Sequence, residues 1–104
     1  MIDSQPLENS TILIVDDQST SRTILSQVIR GISPAIKIIE KSNPEQALEW
    51  AAQNTADLVF VDYLLPKMNG VDFIRLLKTL RDYVNTPVVM ITIKKEAETR
   101  YAAL

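Results

Sequence analysis

Three short, continuous apolar runs, each stopped by a polar side chain, constrain this chain more than any other feature. Ile12-Leu13-Ile14-Val15 ends at Asp16-Asp17, Leu58-Val59-Phe60-Val61 ends at Asp62, and Val88-Val89-Met90-Ile91 ends at Thr92. Runs of this length without alternation read as strands buried on both faces, the pattern of a parallel sheet covered by helices. Ligands of such sheets gather at the carboxyl ends of the strands, so Asp16, Asp17, Asp62 and Thr92 are expected on one rim. Carboxylates about 4 Å apart repel by roughly 4 kcal/mol at an effective dielectric of 20, so the cluster calls for a cation. Oxygen-only donors suit a hard divalent ion, and Mg²⁺ is the expected metal. The expected chemistry is a metal site that handles a phosphoryl group.

The segments between the runs carry helix signals. Gln18-Ser19-Thr20-Ser21 offers capping hydroxyls to a first helix, whose Ile24, Leu25, Val28 and Ile29 form one apolar stripe. Gly31 is a natural helix terminator, and Pro34 prevents the helix from resuming. Ala35 to Ile39 reads as a further strand, half alternating and so at a sheet edge. Asn43-Pro44-Glu45-Gln46 opens a second helix with a cap residue, an early proline and a glutamine three residues after the cap. Its apolar stripe is Ala47, Leu48, Ala51 and Ala52, with Trp50 at the stripe's edge. Pro66 and Asn69-Gly70 mark a turn-rich loop before a third helix bearing Val71, Phe73, Ile74, Leu77 and Leu80. Pro87 introduces the last run, and Ala97, Tyr101 and Leu104 have helical spacing. Strand and helix alternate throughout, which predicts right-handed crossovers and a doubly wound α/β parallel sheet. Residues 1–10 are expected to form a loose arm ahead of a domain over 11–104.

Composition narrows the chemistry. With 104 residues the chain is one domain. It contains no cysteine, which removes disulfides and thiolate metal sites, and no histidine, which removes the commonest general base and zinc ligand. The net charge of −2 gives no basic face for nucleic acid or an anionic membrane. No apolar run is long enough to span a bilayer, and Met1-Ile2-Asp3 lacks the basic start of a secretory signal, so a cytoplasmic location is expected. The only glycines are Gly31 and Gly70, which rules out a glycine-rich phosphate loop.

The three motifs together resemble the receiver domain of bacterial two-component response regulators. Ile12 to Asp17 resembles that family's first strand and acidic pair. Leu58 to Gly70, with Asp62, Pro66 and Met68, resembles its phosphoacceptor strand and loop, and Pro87 to Thr92 resembles its fourth strand with the switch hydroxyl. The resemblance covers Thr11 to Leu104 and implies a flavodoxin-like, receiver-type fold. It implies that Asp62 is the nucleophile taking a phosphoryl group from a sensor histidine kinase, with Thr92 binding the new phosphoryl group. Asp17, Asp62 and the Leu64 carbonyl would ligate Mg²⁺, with Asp16 acting through water. The domain would be a phosphoacceptor that signals to a downstream effector, and not an enzyme with a substrate of its own.

In the resembled family a lysine and an aromatic switch residue lie on a fifth strand, and the chain stops before that strand. A domain lacking its last strand and helix is therefore expected. Lys94 and Lys95 follow Thr92 too closely to replace the lysine, and Ile93 stands where the family has a small residue. These departures sustain an alternative, a receiver-like interaction module that does not accept phosphate. They also predict an exposed fourth strand, and hence a homodimer through residues 88–92 or the terminal helix, the alternative being a monomer of low stability. A phosphohydrolase of the haloacid dehalogenase type would need Asp-x-Asp after the first strand, and Asp16-Asp17-Gln18 does not supply it.

Overall fold

The structure, a computed structural model, describes residues 9–91. The expected arm, Thr92 and the terminal helix with Ala97, Tyr101 and Leu104 lie outside the described residues. Four parallel strands form the sheet: β1 (Thr11–Val15), β2 (Lys37–Lys41), β3 (Leu58–Asp62) and β4 (Val88–Ile91), in the order β2-β1-β3-β4. Helices α1 (Ser19–Ile32), α2 (Pro44–Gln53) and α3 (Gly70–Leu77) make the crossovers, and a single 3₁₀ turn spans Arg81–Tyr83. This is the expected doubly wound, flavodoxin-like sheet.

Alternation along the two central strands builds a separate core on each face. Ile12 and Ile14 of β1 pack with Ile29 and Ile36, with Leu25, Ile38, Leu58 and Phe60 at the margin, so α1 covers this face. Leu13 and Val15 of β1 and Val59 and Val61 of β3 turn the other way. They pack with Ala47 and Ala51 of α2 and with Phe73 and Leu77 of α3. The central strands are thus buried on both sides, which is why they read as unbroken apolar runs.

Several local expectations need correction. Leu25 and Ile29 of the proposed α1 stripe turn inward, whereas Ile24, Val28 and also Ile32 stay more than half exposed. The buried side includes Ser26 in their place. Gly31 does not end the helix, because it lies within α1 and Ser33 closes it, donating its backbone N–H to Ile29 O at 3.0 Å. Strand β2 starts two residues later than expected, and it lies at a sheet edge as predicted. Helix α2 begins as predicted: Asn43 Oδ1 accepts from Gln46 N at 2.8 Å, with Pro44 in the first turn. Its far stripe is narrower, since Ala52 is exposed. Strand β4 is the other edge of the described sheet, and Val89 and Met90 are 43% and 41% exposed, so it is less buried than an unbroken apolar run implies.

Candidate metal and phosphoryl site

Register alone brings two of the acidic residues together. Val15 of β1 pairs with Val61 of β3, so the residues that follow them, Asp16 just past β1 and Asp62 at the last position of β3, stand at the same level. Asp17 extends from the same loop. One carboxylate oxygen from each of Asp16, Asp17 and Asp62 lies within 4.8 Å of the others. Asp62 is 2% exposed and Asp16 8%, while Asp17 is exposed, so the cluster is a buried floor with one open side.

Backbone geometry shapes the walls. Asp16 N donates to Lys41 O at 3.1 Å, tying the start of the acidic loop to the end of β2. Asp16 Oδ1 accepts from Gln18 N at 3.0 Å, a local turn that Asp forms readily. On the other strand, Asp62 Oδ1 accepts from Leu64 N at 3.4 Å. Leu64, expected as a carbonyl ligand, therefore meets the Asp62 carboxylate through its amide. Ile91 pairs with Asp62 across β3 and β4, and its carbonyl accepts from Tyr63 N at 3.2 Å. Thr92 is the next residue in sequence and lies outside the described residues.

Two contributors were missed. Asn69-Gly70 reads as plain turn chemistry, yet Asn69 caps α3 by accepting from Asp72 N at 2.9 Å. Gly70 sits where a Cβ would come 3.0 Å from Asp62 O, 3.0 Å from Met90 Sδ and 3.1 Å from Tyr63 Cα. The helix start is thus pressed onto the backbone that carries Asp62, and Gly70 N donates to Tyr63 O at 2.6 Å. Lys67, in the same loop, has φ 71°, a left-handed conformation unusual for a residue with a side chain. The second contributor is Arg22, whose Nη1 donates to Asp16 O at 2.6 Å. No sequence motif points to it, because the contact is made to a backbone carbonyl.

The response regulator receiver domain family model matches residues 12–104. The chain belongs to this family. It is 40% identical over 93 residues to the cyclic di-GMP phosphodiesterase response regulator RpfG of Xanthomonas campestris, covering 89% of this chain and 25% of that protein. It is 35% identical over 92 residues to the transcriptional regulatory protein SrrA of Staphylococcus aureus, covering 88% of this chain and 36% of that protein. The chain therefore spans about a quarter to a third of these relatives. Among solved structures, it superposes with a TM-score of 0.73 on the receiver domain of a sensor histidine kinase from Pseudomonas aeruginosa PAO1, solved with a magnesium ion coordinated in its active site cleft. That likeness is 20% identical and covers 81% of this chain and 67% of the other, and it shows the fold. The chain is a signalling domain of two-component systems. Among the described residues no helix is long and apolar enough to cross a membrane.

Proposed function

We propose that this receiver domain accepts a phosphoryl group on Asp62 from the phosphohistidine of a sensor histidine kinase, in a reaction that depends on Mg²⁺. The observation that carries this reading is the convergence of Asp16, Asp17 and Asp62, with one oxygen from each within 4.8 Å of the others. Three carboxylates and nearby backbone carbonyls are a donor set suited to a hard divalent ion. Asp17, Asp62 and the Leu64 carbonyl are assigned as ligands, with Asp16 acting through water. Bound there, Mg²⁺ would supply positive charge to offset the negative charge on the phosphoryl oxygens.

The residues do the rest by position. A carboxylate oxygen of Asp62 attacks phosphorus, the P–N bond to the kinase imidazole breaks, and an acyl phosphate results. Asp62 is 2% exposed, and the start of α3 presses on the backbone that carries it. Thr92, next after the residue that pairs with Asp62, is assigned to hydrogen-bond the phosphoryl group. The added charge and acceptor oxygens then bias the loop after β4 and alter contact with a downstream effector. The exposed stripe Ile24, Val28 and Ile32 lies on the helix that leaves the acidic loop, and it is assigned to meet the kinase. Homodimerisation is assigned to β4, where Val89 is 43% and Met90 41% exposed. The setting is cytoplasmic.

Incubation with Mg²⁺ and acetyl phosphate, followed by intact mass, tests the central claim. One added phosphoryl group, lost in Asp62→Asn, is expected. No adduct at saturating Mg²⁺ would overturn the reading in favour of an interaction module that does not accept phosphate.

A further inference from the structure

Strand β2 carries a polar residue where its alternation calls for an apolar one. Ile38 packs into the core beneath α1, and two residues on Glu40 turns toward the same helix. Ile14 of β1 pairs with Glu40, and Val15 with Lys41. The Glu40 carboxylate therefore arises two residues below the level of Asp16, beside the root of the acidic loop.

The Glu40 carboxylate is held at both oxygens. Ser26, buried on α1, donates its hydroxyl to Glu40 Oε2 at 2.9 Å, and Arg22, one turn earlier, donates Nε to Glu40 Oε1 at 3.3 Å. The other end of the same guanidinium donates Nη1 to Asp16 O at 2.6 Å. The Arg22 side chain is 18% exposed and that of Glu40 37%, so the guanidinium is the sheltered end of the pair. A guanidinium is a rigid planar fork, so fixing Nε on Glu40 also fixes where Nη1 points. The carbonyl it grips belongs to the peptide that joins Asp16 to Asp17, and the plane of that peptide sets the direction in which Asp17 leaves the backbone.

We propose that Arg22 is a positioning residue: braced by Glu40 and Ser26, it holds the Asp16-Asp17 peptide in the shape that lets both carboxylates serve one cation. This rests on the metal-dependent reading above. Charge by itself predicts the opposite effect, because a cation beside the acidic cluster opposes Mg²⁺ and its removal would tighten binding. Glu40 offsets that charge, leaving geometry as the larger influence.

The test is Mg²⁺ titration followed by amide shifts, together with hydrogen exchange at Gln18 N–H without metal and thermal unfolding without metal. Arg22→Met is expected to raise the Mg²⁺ dissociation constant by about 10-fold, the lower end of the range for residues that orient metal ligands. It is also expected to speed exchange at Gln18, whose amide is bonded to Asp16 Oδ1. Arg22→Lys should recover only part of the affinity, since an ammonium lacks the fork. Glu40→Gln, which keeps an acceptor for Ser26 and perturbs folding less, should give a smaller loss in the same direction. Unchanged or tighter Mg²⁺ binding in Arg22→Met, even with a lower melting temperature, would overturn the positioning role and leave the metal site intact. Failure of the unaltered protein to bind Mg²⁺ would overturn the functional reading and this inference with it.

Discussion

The Tyr83 hydroxyl donates to the backbone carbonyl of Asn54 at 2.6 Å, and the same oxygen accepts from Ala56 N at 3.0 Å. Tyr83 has no exposed surface, so this one side chain closes the backbone between α2 and β3 from across the core. Tyr83→Phe keeps the ring and leaves both backbone groups without that partner. A loss of about 1–3 kcal/mol is expected, measured by urea unfolding. A smaller change would mean that water replaces the hydroxyl.

The same residue gives a pH dependence. Burial, the largest influence, raises the Tyr83 pKa above 10.0, with the Ala56 backbone hydrogen bond opposing it and the charges of Asp82 and Asp57 adding to it. The folded protein therefore holds its proton where the unfolded chain releases it. This stabilisation is fully present below the unfolded pKa and falls as pH rises through the folded one. Unfolding free energy should decline above about pH 10 in the unaltered protein, with a shallower decline in Tyr83→Phe. Parallel curves would remove Tyr83 from the alkaline transition.

Gly70→Ala should destabilise the domain although alanine favours helices. Its Cβ would meet Asp62 O and Tyr63 Cα, both backbone atoms that yield only if the end of β3 moves. The expected loss is about 1–3 kcal/mol, read by thermal unfolding. A gain in stability would show that the close approach relaxes without displacing Asp62.

Lys67 offers the reverse case. With φ at 71°, Lys67→Gly removes side-chain strain of about 1 kcal/mol, partly offset by the greater freedom of glycine in the unfolded chain. Lys67→Val puts a β-branched residue in that conformation and should destabilise the domain. Equal stability of the two variants would show that the backbone at this position relaxes.

Asp62→Asn should keep the domain folded in the absence of metal, because the amide nearly matches the carboxylate in shape and volume. It should also abolish the stabilisation that added Mg²⁺ gives the unaltered protein. Melting curves with and without Mg²⁺ check both parts, and a variant still stabilised by Mg²⁺ would show that Asp62 is dispensable for the ion.

The parallel sheet and the acidic rim were legible in the sequence because both depend on local pattern. Val15 and Val61 are buried on a two-sided sheet, so their runs carry no alternation, and Asp16, Asp17 and Asp62 stand at the ends of those runs whatever the helices do. The edge position of β2 and the Asn43 cap were equally local. Tertiary structure alone decided which side of α1 is buried. Helical spacing admits several stripes, and the choice of Ser26 and Ile29 over Ile24 and Val28 depends on Glu40 arriving from a different strand. Gly31 and Gly70 show the same division: glycine permits both a helix end and a close approach, and only packing against Asp62 and Met90 tells which use Gly70 has. Arg22 lay beyond the reach of sequence reasoning because its partners are the Glu40 side chain, eighteen residues away, and a main-chain oxygen common to every residue.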